Sequence, residues 1–260
     1  MNDKKLKVIA KFGKKYQNIY LYNQKKKEDL QNLLKNDWLE ALKFFFSRSF
    51  MRGRRDEISV DFLNKAIKVL DDFNLKDNLA KFNQDEKWKE TLQNKLQEEG
   101  VNNQYDRGMV LSTIEFILKL DNYNLINYSL QTIGNEKHEI EKIYSELDSL
   151  TAVGDKIASF FLRDLVCIFD LELQSDKQIF LQPIDIWVSR ILEKLNIAQK
   201  SDIDKAISGN KNSLKIVREA IIKVCDDAKI SSIEFNQGAW YIGFHSFEIM
   251  LENLDKFIKE

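Results

Sequence analysis

The chain contains a single proline, Pro183, in 260 residues, whereas globular proteins use proline at roughly 5% of positions. Only nine glycines accompany it. Proline and glycine supply most of the sharp turns that a many-stranded sandwich or barrel requires. A chain so poor in both is expected to be all-α, and its hydrophobic content of 43% is sufficient for a buried core.

Apolar residues recur at helical spacing along most of the chain beyond residue 30. In the segment DWLEALKFFFSRSF they stand three or four positions apart, and Asp37 precedes them as a plausible N-cap. The same pattern predicts further helices, including one over 155–169, one from Pro183 to Ile191 and one over 237–257. In residues 1–30, apolar and polar residues alternate weakly instead, as in KVIAKFG. This pattern predicts a basic N-terminal arm or small hairpin ahead of a helical core over 31–260.

The composition argues against several classes of protein. No apolar run approaches the ~18 residues of a membrane span, and no secretory signal is evident, so we expect a cytoplasmic protein with no membrane partner. Cys167 and Cys225 are too few for a disulfide framework or a four-thiolate metal site. His138 and His245 lack the spacing of metal ligands. We therefore expect neither a metal nor a cofactor.

The distribution of charge is more informative than the net charge of −1. Residues 1–30 carry nine lysines and three acidic residues, and residues 41–55 carry five basic residues and no acid. Arginines in the second stretch are candidates for DNA phosphate contacts; they are Arg48, Arg52, Arg54 and Arg55. The alternative interpretations are a solvated lysine-rich tail and a solvated turn whose arginines pair with Asp56 and Glu57.

Two short motifs suggest chemistry. In HEIEKIYSELDSL-TAVG-DKIASFFLRDLV, two helices over about 138–170 are joined by a turn too short to cover its own amides. The amides around Val153 and Gly154 can therefore bind a phosphate. In LQPIDIWVSRIL, Pro183 restrains the backbone just before Asp185 at a helix start. Two residues of these motifs also have an ordinary interpretation. Asp185 can be an N-cap, and Lys156, in the first motif, can be a solvated lysine.

Taken together, Lys156 in LTAVGDK and Asp185 in QPIDIWV resemble the lysine and aspartate of the helix-hairpin-helix DNA glycosylase/lyase superfamily. The long connection between them is similar to that of the archaeal GO (8-oxoguanine) DNA glycosylases. The segment IEFNQGAWYIG is similar to the C-terminal helix of that branch, where an acid and a tryptophan four positions later hold the flipped base. Here Trp240 matches but Asn236 replaces the acid. Ala152 is a second departure, because most of the superfamily has glycine there and alanine disfavours positive φ.

The resemblance implies a two-lobed helical array with a helix-hairpin-helix motif, an active site in the cleft between the lobes, and N- and C-terminal helices that form the second lobe. It implies a DNA repair N-glycosylase with AP lyase activity that excises an oxidised purine, with 8-oxoguanine as the expected lesion, from damaged double-stranded DNA. We expect a monomer.

Each site residue has a role implied by this likeness. Lys156 would attack the sugar and Asp185 would stabilise its positive charge, while Asn236, Trp240 and Trp187 would contact the base. A noncatalytic helix-hairpin-helix DNA-binding module and a monofunctional glycosylase for an alkylated base are the alternatives.

Overall fold

The computed structural model describes residues 3–51, 54–75, 79, 87–134 and 139–252, with side chains as far as His245. All regular elements in this described part are helical, so the expectation of an all-α protein is confirmed. The elements up to residue 134 are α1 (Asp3–Tyr16), a π-helical turn (Gln17–Tyr22), α2 (Lys27–Asn36), α3 (Trp38–Ser49), α4 (Asp56–Asp72), α5 (Trp88–Glu98), α6 (Gln104–Ile117) and α7 (Leu125–Gly134). Those after it are α8 (Ile140–Asp148), α9 (Gly154–Phe169), a 3₁₀ helix (Ser175–Leu181), α10 (Ile186–Lys194), α11 (Lys200–Ile207), α12 (Lys211–Ala228) and α13 (Ser232–Glu252). Within the described ranges, none of these helices has both the length and the apolar character needed to cross a bilayer.

The helices form two compact units. One unit comprises α1, the π-helical turn and the chain from Leu162 onward, and its core is built from the apolar faces of α1 and α10–α13. The other unit runs from Glu28 to Phe161. Its core includes Phe45 of α3, whose ring meets that of Phe161 edge to face with centroids 5.2 Å apart. The split falls within α9, so this helix contributes residues to both units.

The start of the chain differs from the sequence-based expectation. Instead of an arm or hairpin, residues 3–22 form α1 and the π-helical turn, and α1 packs along α13. The apolar residues Leu6, Ile9 and Phe12 are buried at helical spacing. Lysines between them make short windows of this segment alternate like a strand, which explains why the prediction was wrong.

Helix boundaries follow the capping residues. Asp37 caps α3 as predicted, because its carboxylate accepts hydrogen bonds from the amides of Leu39 (3.0 Å) and Glu40 (3.3 Å). Two other helices begin at residues that differ from the predicted ones. Helix α10 begins at Ile186 rather than Pro183, and α13 begins at Ser232, upstream of the predicted start.

Helices α1 and α13 approach each other closely at two glycines. A Cβ atom on Gly238 would lie 1.9 Å from the carbonyl oxygen of Ile9, and one on Gly13 would lie 2.2 Å from that of Glu234. Both obstacles are backbone atoms of the neighbouring helix, which cannot move without displacing the whole helix. The α1–α13 interface therefore requires glycine at both positions.

We expect Gly238→Ala to lower the free energy of unfolding by about 3 kcal/mol, because the added methyl group overpacks a rigid contact. Gly134→Ala is the matched control, since a Cβ there meets no heavy atom of the described residues within 4 Å; it should be neutral or stabilising by up to about 1 kcal/mol. Urea denaturation of both variants measures the difference. Equal stabilities for the two variants would contradict the proposed packing.

Candidate active site

A short turn joins α8 to α9 and is fixed by its own residues and by α6. Leu150 and Val153 are buried, and the Val153 amide donates to the Leu150 carbonyl at 3.1 Å. The Thr151 amide donates to the Ser112 hydroxyl of α6 at 3.1 Å. The Val153 amide, predicted to bind phosphate, is thus used within the turn.

Two residues of this connection have left-handed backbone conformations. The φ angles are +58° at Ala152 and +60° at Gly154. A left-handed conformation costs a non-glycine residue roughly 1–2 kcal/mol, so the packing of the turn imposes it on Ala152. Position 152 therefore has the left-handed conformation although it carries alanine. Among the described residues, no atom lies within 4 Å of a Cβ placed on Gly154, and the first-turn amides of α9 that follow it have no intrahelical acceptor.

Lys156 lies in this first turn, half-buried, and its Nζ donates to the carbonyl oxygen of Met51 at 3.3 Å. Burial raises the pKa of Asp56 above its ordinary value and Glu57 adds to the rise, while the charge of Lys156 opposes it. Lys156 is therefore close to both flanks of the arginine-rich turn. Asp56 is a neighbour of Lys156 that sequence reasoning considered only as a partner for the arginines.

The predicted phosphate-binding arginines have different environments. Arg48 is only 7% exposed, and its guanidinium lies over the phenyl ring of Phe44 in the same helix. Arg54 forms an ion pair with the buried Asp106, rather than with the acids that follow it in sequence. Arg55 is exposed at the start of α4. Arg52 lies outside the described residues. Of the three described arginines, Arg55 is the most accessible to a phosphate.

Asp185 is half-buried and is the N-cap of α10. Its Oδ1 accepts hydrogen bonds from the amides of Trp187 (3.0 Å) and Val188 (2.8 Å). The N-cap interpretation is therefore confirmed. These two amides and the helix dipole favour the ionised carboxylate and fix its orientation.

The backbone just before Asp185 is held by buried side chains. Arg218 Nε donates to the carbonyl of Gln182 at 2.9 Å, and Asn236 Nδ2 donates to that of Pro183 at 3.2 Å. These bonds anchor the loop to two helices, α12 and α13. Asp185 is consequently held at a defined position before any ligand binds.

Asn236 belongs to a buried polar network, defined here as Tyr16, Arg163, Asp164, Asn236 and Gln237. The Arg163 guanidinium, 1% exposed, donates to Asp164 (2.9 Å), to the Tyr16 hydroxyl (2.8 Å) and to Asn236 Oδ1 (2.8 Å). The Tyr16 hydroxyl in turn donates to Asp164 at 2.8 Å. Burial is the largest single influence and would lower the pKa of Arg163, but the charge and hydrogen bond of Asp164 together with Tyr16 and Cys167 outweigh it, so the pKa is raised. The only sequence signal for this network is the Arg-Asp pair inside the apolar run FFLRDLVCIF.

The predicted base-binding residues are already engaged by the protein. Both ends of the Asn236 amide are hydrogen-bonded. The sequence alone also allows Asn236 to cap a helix that starts there, but this alternative is wrong because α13 begins at Ser232 and Asn236 lies within it. Trp240 is half-buried, stacked on Phe244 with centroids 4.9 Å apart, and edge to face with Tyr20 at 5.3 Å. Trp187 is half-buried beneath the guanidinium of Arg190, 5.0 Å from its ring. Base contact by these residues stays a prediction.

Comparison with known proteins adds little to this geometry. No protein-family model matches the chain, and no solved structure matches it. A stretch of 73 residues is 37% identical to an uncharacterized protein of Methanocaldococcus jannaschii. This similarity covers 28% of the chain and only 16% of that protein.

We expect Asn236→Leu to lower the free energy of unfolding by about 3 kcal/mol, because Arg163 loses an acceptor and the Pro183 carbonyl loses its donor in a buried site. Asn212→Leu makes the same change at an exposed position of α12 and should alter stability by no more than about 0.5 kcal/mol. Thermal and urea unfolding of both variants test this expectation. A stable Asn236→Leu protein would show that the amide is dispensable to the network.

Proposed function

We propose that the protein is a DNA repair N-glycosylase with AP lyase activity that excises an oxidised purine, 8-oxoguanine being the expected lesion. The observation that carries the proposal is the local setting of its two reactive groups. Lys156 offers a half-buried amine in the first turn of α9, and Asp185 offers a carboxylate fixed by two amides at the start of α10. An amine and a carboxylate are the two groups that this reaction requires.

The chemistry follows from these groups. The Lys156 amine, in its neutral form, attacks C1′ of the damaged nucleotide, and the bond from C1′ to the base breaks with its electron pair leaving on the base, which takes up a proton. Asp185 stabilises the positive charge that develops on the sugar. The amine loses its protons as the sugar ring opens, giving a Schiff base. Loss of a C2′ proton then expels the 3′ phosphate and cuts the strand, and water hydrolyses the Schiff base to regenerate Lys156.

The turn between α8 and α9 supports a phosphate-binding role beside this chemistry. Amides in the first turn of a helix attract anions, and the described residues leave space at Gly154 for a phosphate to approach the backbone. Arg55 is exposed and can add a further phosphate contact. Such contacts position the duplex but do not read its sequence.

Asn236 has a local reason to differ from the acid of the family pattern. The position must accept a hydrogen bond from Arg163 and donate one to the Pro183 carbonyl, which an amide does and a carboxylate does not. In this protein we therefore assign Asn236 to holding the loop before Asp185. Lesion recognition would then depend more on aromatic stacking, with Trp240 and Trp187 as the candidates.

We expect Lys156→Gln to abolish the covalent adduct formed with lesion-bearing duplex in the presence of borohydride, because an amide cannot form the Schiff base. Duplex binding should remain. Lys142→Gln, at an exposed position of α8, is the matched control and should trap as well as the original protein.

The outcome of trapping also separates the alternatives. Duplex binding without trapping or base release by the original protein would contradict the proposal and favour a noncatalytic DNA-binding module. Release of an alkylated base without strand scission would instead favour a monofunctional glycosylase.

We expect Asp185→Asn to slow base release by about 100-fold or more, because it removes the charge that stabilises the sugar cation. Asparagine caps helices as well as aspartate does, so the fold should be preserved. Single-turnover base release and thermal unfolding measured on the same protein separate the two effects. An unchanged rate would exclude Asp185 from the reaction.

A further inference from the structure

Lysines line the solvent-exposed face of α1. Lys4, Lys7, Lys11 and Lys14, here called the lysine strip, are all exposed, and their spacing of three or four residues places them on one face of the helix. They span about 15 Å along the helix axis. The only acidic residue of α1 is Asp3, at its start.

Three of the four lysines in the strip, Lys7, Lys11 and Lys14, have no ion-pair partner among the described residues. The exposed face of α12 provides a contrast, since its lysines alternate with acidic residues and Lys215 pairs with Glu219 at 3.7 Å. The chain as a whole has 40 basic and 41 acidic residues, yet positive charge is concentrated along one face of α1.

The packing of α1 restricts which anionic partner the strip can bind. A lysine-rich amphipathic helix binds a membrane by burying its apolar face in the lipid. The apolar face of α1 is already buried against α13, with Gly13 and Gly238 in backbone contact. An extended anion that needs only the charged face, such as the phosphate backbone of nucleic acid, fits this arrangement.

We propose that the lysine strip is a second DNA-binding surface, which contacts successive phosphates of duplex DNA and supplies sequence-independent affinity. The identity of the anion as DNA rests on the proposed function. Phosphates of one strand advance by about 3.4 Å along the duplex axis, so a 15 Å strip can reach several of them. The strip would retain the protein on undamaged duplex, where no flipped base contributes to binding.

The test compares two triple variants of the full chain that remove the same charge. Lys7, Lys11 and Lys14 are changed to Gln in one, and Lys211, Lys215 and Lys223 of α12 are changed to Gln in the other. All six lysines are exposed, and circular dichroism verifies that both variants fold. Fluorescence anisotropy then gives the Kd for a short undamaged duplex between about 50 and 200 mM salt.

We expect the strip variant to bind about tenfold or more weakly at the lowest salt, and the slope of log affinity against log salt to fall in magnitude by about 2 to 3, since each lost phosphate contact removes about 0.9. The α12 variant should stay close to the original protein in both respects. Equal slopes for the two variants would overturn the proposal. Binding of the original protein to phosphatidylserine vesicles but not to the duplex would also overturn it.

Borohydride trapping on lesion-bearing duplex, run on the same preparations, distinguishes this proposal from the enzymatic one. If the original protein traps the duplex but the slopes are equal, only the strip is excluded. If it does not trap but the strip variant alone loses its salt dependence, the strip stands and the glycosylase/lyase function fails.

Discussion

The unit that contains α1 and α10–α13 depends on one buried ionic interaction, that between Arg163 and Asp164. Removing two charges from water is costly unless every donor and acceptor is satisfied. Here the Tyr16 hydroxyl and the Asn236 amide complete the set, with Gln237 as a further donor to Asp164 at 3.4 Å. Because these partners come from α1, α9 and α13, the electrostatic requirement of a single arginine fixes the mutual placement of three helices. Through Asn236 it also fixes the loop that carries Asp185.

The fold was more predictable from the sequence than the site was. Helical periodicity and capping are local, so the all-α character and the start of α3 at Asp37 could be predicted. The helical structure at the start of the chain could not, because the burial of α1 depends on its contact with α13, where Gly238 lies more than 200 residues away from Ile9. The role of Asn236 could not be predicted for the same reason, because its partners, Arg163 and Pro183, are distant in sequence. The lysine spacing of α1 was visible, but it has meaning only once the segment is known to be a helix.

Lys156 and Asp185 both form hydrogen bonds with the main chain. The amine of Lys156 meets the carbonyl oxygen of Met51, and the carboxylate of Asp185 meets two backbone amides. Main-chain hydrogen-bond partners do not depend on which side chains lie nearby. The sequence therefore contains only a short motif around each of these two residues. The proposed activity therefore depends on two short segments, each held within its own unit.

The discontinuity of the first unit has a consequence for biosynthesis. The segment from Glu28 to Phe161 is continuous and can collapse on its own as it leaves the ribosome, whereas α1 must wait for α13. At ~5–20 residues per second, the interval between the emergence of the two helices is roughly 10 to 40 s. Throughout that time α1 lacks the helix along which it packs, so part of its apolar side is open to chaperones and to aggregation. Mutual repulsion between nascent chains through the lysines of α1 would oppose aggregation until its partner helix arrives.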